Sequence, residues 1–70
     1  MEKQHYFNFC FMYFTDNGNV AYESVQNNFV NKNITVNKIN NTKREAEIKQ
    51  DSILISCSYL GYMTYDEFMG

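Results

Sequence analysis

Proline and tryptophan are absent from this chain, and cysteine and histidine are scarce. Two cysteines and the single histidine, His5, leave no cluster with metal-ligand spacing. A structural zinc site takes about four such ligands, so no metal is expected. A disulfide-stapled secreted scaffold carries more cysteine, which makes two free thiols in a reducing cytoplasm the plain reading. The glycines do not form a phosphate-binding loop. No apolar run reaches the roughly 20 residues that cross a bilayer. The opening "MEKQHYFNFCFMYFTD" also lacks a small-residue cleavage site after its apolar stretch. A cytoplasmic protein without membrane association is therefore expected. Charge is modest, at a net −2. That is too mild for a nucleic-acid mimic and the wrong sign for a general nucleic-acid binder.

Seventy residues make one domain, spanning 1–70. A chain this short buries only about 60% of its extended surface, so its stability margin is thin. What the chain has in quantity is aromatic side chains. Residues 6 to 14, "YFNFCFMYF", are apolar at nearly every position. Such a strand is greasy on both faces, which one covering layer cannot satisfy.

The first half reads as a hairpin. Asn17-Gly18 in "TDNGNV" suits the two positive φ values of a type I′ turn. A two-residue loop there pairs Phe14 with Ala21 and Tyr13 with Tyr22. Register then fixes the faces. Phe7, Phe9, Phe11 and Tyr13 share one with Val20, Tyr22 and Ser24. Tyr6, Asn8, Cys10, Met12 and Phe14 share the other with Ala21, Glu23 and Val25. "QNNFVNKN" is polar and frays the second strand, with Phe29 and Val30 left to extend it or plug the core.

"ITVNKINNTKREAEIKQ" turns helical, with Val36, Ile39, Lys43 and Ala46 three and four apart and Ile48 near the end. Lys43 must lend its aliphatic stem to that stripe, and Thr35 or Asn33 is the candidate cap. "SILISCSYL" is a strand, with Ile53, Ile55, Cys57 and Tyr59 on one face and Leu54, Ser56, Ser58 and Leu60 on the other. Gly61 breaks it. Thr64 and Glu67 have capping-box spacing for a short turn over Tyr65–Met69, anchored by Phe68. The expected fold is α+β, ββαβ. Its three-stranded antiparallel sheet has order 2-1-3, with the helix over Phe7, Phe9, Phe11, Ile53 and Ile55 and a short helical turn at the C-terminus.

One helix covers one sheet face. The other keeps Tyr6, Cys10, Met12, Phe14, Val25, Leu54 and Leu60, where an uncovered antiparallel face is normally polar. A contiguous apolar patch of a few hundred Å² marks an interface on a small protein. Burying about 400 Å² per subunit is worth on the order of 10 kcal/mol before association costs. That compares with the whole stability of a small domain. A second copy in a homodimer, or another protein, is one cover; the tail with Tyr62, Met63, Tyr65 and Phe68 is the other. Tyr62, Tyr65 and Phe68 form a second candidate contact cluster.

Catalytic constellations are not found. Cys10 and His5 stand on opposite faces of one strand, whereas a nucleophile needs its base within reach. Asp66 and Glu67 are helix neighbours that face different ways. Lys38, Lys43 and Arg44 could meet an anion, but Glu45 and Glu47 interrupt any basic stripe. A non-enzymatic binding protein with no cofactor is expected. Two other readings remain: a binder of small ligands or nucleotide signals with its site between subunits, and a nucleic-acid-binding regulator.

Asparagine, lysine, isoleucine, tyrosine and phenylalanine, all abundant here, have AT-rich codons common in phages and mobile elements. The apolar first strand ending in "DNGN", the segment "ITVNKIN" and the closing "ILISCSYLGYMTYDEF" resemble small accessory proteins encoded by phages and prophages. The resemblance implies a host-cell cytoplasmic role in blocking, redirecting or shielding against a host system by binding, as an inhibitor or anti-defence protein.

Overall fold

The computed structural model describes residues 2–70. In chain order the elements are β1 (Gln4–Phe14), β2 (Val20–Phe29), α1 (Val36–Glu45), β3 (Ile53–Met63) and α2 (Tyr65–Met69). The three strands form one antiparallel sheet in the order β2-β1-β3. The architecture is the expected α+β one, with the most apolar strand in the middle.

The turn between β1 and β2 is not the expected one. A type I′ turn needs positive φ at Asn17, yet among the described residues Glu47 alone is a non-glycine with positive φ. Gly18 takes the left-handed conformation, φ 81°. Its N–H donates to Thr15 O at 2.9 Å, and Thr15 N–H donates to Asn19 O at 2.8 Å. This is a three-residue loop closed by a glycine bulge. It pairs Phe14 with Val20, Tyr13 with Ala21 and Met12 with Tyr22. The register moves by one residue, so every β2 side chain changes face. Glu23 and Val25 join Phe11 and Phe9; Val20, Tyr22 and Ser24 join the opposite face.

β2 does not fray at its asparagines but runs to Phe29. Asn27 holds it to the helix, donating to Thr42 Oγ1 at 2.8 Å and Glu45 Oε1 at 3.1 Å. β3 likewise runs through Gly61 to Met63. Two register shifts bend it. Ile55 is the extra residue between the Cys10–Ser56 and Phe11–Leu54 pairs, and Leu60 the extra one between Tyr6–Gly61 and Phe7–Tyr59. The first shift puts Leu54 opposite Phe11, on the helix side, instead of leaving it on the open face.

Phe9 and Phe11 are fully buried and with Phe7 and Ile48 form the core, against which Val25, Phe29, Ile34, Ile39, Ala46 and Leu54 pack. Thr35 caps α1, accepting from Lys38 N–H at 3.2 Å. Ile39, Lys43 and Ala46 face the core as expected, but Val36 is exposed and Thr42 is buried. Thr42 satisfies its hydroxyl by donating to Lys38 O at 2.9 Å as well as accepting from Asn27. Lys43 places its ammonium 5.7 Å from the Phe11 ring centroid and donates to Gln50 O at 3.1 Å and Ser52 O at 2.7 Å. α1 ends at Glu45, and past its cap Ala46 the chain turns at Glu47, φ 59°. Glu47 N–H bonds Arg44 O at 3.2 Å and Ile48 N–H bonds Lys43 O at 2.8 Å, a Schellman closure that drops Ile48 into the core.

Candidate functional site

The sheet face opposite α1 is built in rows across the strands. At the hairpin end, Phe14 pairs with Val20, and Met12 lies between Tyr22 and Ile53. Next come Cys10 between Ser24 and Ser56, then Asn8 between Gln26 and Ser58. Gln26 Nε2 donates to Asn8 Oδ1 at 2.6 Å. Tyr6 follows between Asn28 and Gly61, and Gln4 beside Met63 ends the face.

The two ends of this face differ. Tyr6 is only 4% exposed because Phe68 of α2 stacks on it, with centroids 4.4 Å apart and planes 12° apart. α2 is held in that position by its cap: Thr64 Oγ1 accepts from Glu67 N–H at 3.1 Å, and Glu67 Oε1 accepts from Thr64 N–H at 2.9 Å. Accepting from Thr64, from its backbone N–H first and its hydroxyl second, holds the Glu67 carboxyl below the usual glutamate range, and the charge of Lys3 adds to the effect. The chain's own tail therefore covers one end. At the hairpin end nothing among the described residues lies over the sheet. Tyr22 is 66% and Phe14 57% exposed, beside exposed Val20 and Ile53 and half-buried Met12.

Of the residues expected at an interface, Cys10, Met12 and Phe14 lie on this face. Tyr6 and Phe68 lie at its covered end. Tyr65 is exposed on α2, and Leu60 is exposed at the second β3 shift. Val25 and Leu54 are corrections: both pack against the phenylalanine core on the helix side, because of the hairpin bulge and the first β3 shift. Tyr62 pairs with His5 on the helix side too. Val20, Tyr22 and Ile53 were missed for the same reasons. The signal that could have found two of them is the "TDNGN" stretch, which suits a three-residue loop with glycine left-handed as well as it suits the tighter turn.

The basic residues Lys38, Lys43 and Arg44 do not converge. Lys43 is buried and bonded to carbonyls. Lys38 Nζ donates to Asn31 Oδ1 and Asn33 O, both at 2.6 Å, and lies over Phe29. Arg44 donates to Asn41 Oδ1 at 3.0 Å and lines a shallow cleft of about 360 Å³ with Asn27, Asn28, Phe29, Asn41 and Glu45. A second cleft, of about 320 Å³, runs beside it between β2 and α1.

Both thiols are free, and partial burial pushes the Cys57 thiol up, away from the reactive thiolate. Among the described residues no group of three or more histidine, cysteine or carboxylate side chains is placed to hold a metal ion. No described helix is long and apolar enough to cross a membrane. Compared with known proteins, the chain matches no protein family, no curated protein and no solved structure.

Proposed function

We propose that this chain is a non-enzymatic, phage-derived accessory protein that acts on a host system by protein–protein contact, as an inhibitor or anti-defence protein. One observation supports the reading above the others. Phe14, Val20, Tyr22 and Ile53 surround Met12 as neighbours at the hairpin end of the sheet face, the end that no described element covers. Exposed aromatics clustered on a rigid sheet make good anchors, because they bring large area at low cost in side-chain entropy. The same surface supports a homodimer by face-to-face sheet packing, in which each copy offers the same patch to the other.

The test has two arms. Light scattering on the wild-type chain and on Tyr22→Asp reads self-association. Capture from bacterial lysate, followed by mass spectrometry, reads a partner, with Tyr22→Asp as the control. Tyr22 is exposed, so the variant should melt close to wild type. The reading predicts either a wild-type dimer or a specific captured protein, lost in the variant. A wild-type monomer that retains nothing beyond what Tyr22→Asp retains would sink it.

A further inference from the structure

The helix side of the sheet is only partly covered. Asn27 of β2 is tied to Thr42 and Glu45 of α1, which sets the helix toward the β1–β2 half. On the β3 half, His5 and Tyr62 are register partners, with ring centroids 4.5 Å apart. Tyr59 lies beside them, its hydroxyl 2.9 Å from His5 Nδ1 and its ring centroid 5.9 Å from the imidazole. Phe7 backs Tyr59 from the core at 5.1 Å. Lys32 Nζ sits 4.8 Å from the Tyr59 ring centroid, and Lys3 Nζ sits 5.8 Å from that of Tyr62. The rings are open, Tyr59 at 45% and Tyr62 at 55% exposure.

Residues from the start of β1, the loop before α1 and the end of β3 thus converge. Of four ammonium–ring pairs among the described residues, two share this cluster, and the protein-binding surface proposed above uses neither.

We propose that this platform binds single-stranded nucleic acid, two successive bases stacking on Tyr59 and Tyr62 while Lys32 and Lys3 turn to the adjoining phosphates. Two ring-and-ammonium units, both next to His5, repeat the base-and-phosphate unit of a strand. Base stacking on aromatic side chains is sequence-tolerant, because every base has a π-face. A small-ligand site is typically concave, and both clefts described above lie elsewhere, between β2 and α1. Lys3 is also close enough to Glu67 for its charge to act on that carboxyl, so Lys32 is the stronger phosphate contact.

The net charge of −2 argues against binding driven by charge alone. Stacking supplies the affinity instead, and the salt dependence is shallow. Two phosphate contacts to a single strand give a log–log slope of about −1.4.

The experiment is an anisotropy titration of the full chain into a fluorescein-labelled oligothymidine of about twelve nucleotides, within the range of known single-strand sites. An oligouridine and a duplex of matched length are run beside it. Salt is varied between about 50 and 200 mM. Binding to either single strand, with a slope near the expected value and weaker binding to duplex, supports the site. Tyr62→Ala should weaken binding about tenfold, the loss of one stacked base. Lys32→Gln should flatten the slope by about 0.7. Tyr22→Asp, on the opposite face, should bind the strand as wild type does, so failure of the protein-binding reading leaves this result standing. No binding at the lowest salt, equal affinity for duplex, wild-type affinity in Tyr62→Ala, or mole-for-mole displacement by uridine monophosphate would each overturn the proposal.

Discussion

Phe9 has no exposed surface and touches phenylalanine rings on three sides: Phe7 at 6.3 Å, Phe11 at 6.2 Å and Phe29 edge-on at 6.2 Å between centroids. Truncating such a residue to alanine costs about 3–5 kcal/mol. A domain of this size has a total stability of only about 3–10 kcal/mol, scaling the usual range per residue to its length. Phe9→Ala should therefore be largely unfolded or close to it at room temperature, as urea titration followed by circular dichroism would show. Two other residues carry costs that substitution can relieve. Glu47 sits at φ 59°, where an L side chain loses about 1–2 kcal/mol to its own carbonyl. Glycine escapes that penalty but gains freedom when unfolded. Glu47→Gly should raise stability by about 0.5–1 kcal/mol, and a melting point unchanged or lowered would contradict it. Ser52 is buried with its hydroxyl unpaired, while its carbonyl accepts from Lys43. Ser52→Ala should leave stability level or improve it by up to about 1 kcal/mol, since it removes an unsatisfied polar group.

At the scale of elements, much of the fold was legible. The strand order, the Thr35 cap, the Lys43 stem and the Thr64–Glu67 box all follow from local rules about periodicity and caps. The faces of β2 and β3 were not. Gly18 is left-handed in either hairpin turn; only the sign of φ at Asn17 separates them, and asparagine tolerates both signs. The Ile55 bulge has no residue marker at all, because β-branched side chains suit regular strands. Each lapse is one residue long, and each moves side chains from water to core or back. Asn17→Ala separates the two turns. Alanine at negative φ should change stability by no more than about 0.5 kcal/mol, whereas at positive φ it would cost about 1 kcal/mol or more. A loss of the larger size in chemical denaturation would restore the tighter turn and the original register. α2 has its own pH dependence. The Glu67 carboxyl is held below its ordinary range chiefly by accepting from Thr64 N–H. A group lowered in this way supports the folded arrangement above its unfolded value and loses that support as pH falls through the lowered one. Docking of Phe68 on Tyr6 should thus loosen in acid below the ordinary carboxylate range, seen as a change in near-ultraviolet tyrosine dichroism. In Glu67→Gln the acid transition should disappear.

At the scale of the molecule, a sheet with two greasy faces has, among the described residues, fifteen helical ones, ten in α1 and five in α2, to cover them. The longer helix takes the phenylalanine side, and even there leaves the Tyr59–Tyr62 strip open. The shorter one reaches only the Tyr6 end of the other side. Coverage by the tail and exposure for a partner, which the sequence presents as alternatives, are thus divided along one face: tail at one end, open apolar surface at the hairpin end. This division predicts how much apolar surface the tail withholds. Replacing Phe68 with serine removes the ring that covers Tyr6 without touching the phenylalanine core. The chain should stay folded by far-ultraviolet dichroism and lose about 1–3 kcal/mol of stability, in proportion to the apolar area released. Its binding of the dye ANS should rise, because Tyr6 then adds a second apolar patch, separated from the hairpin one by the polar Ser24–Cys10–Ser56 and Gln26–Asn8–Ser58 rows. If Phe68→Ser binds no more dye than wild type while remaining folded, α2 is not the cover of that end, and the boundary of the proposed binding surface has been drawn in the wrong place.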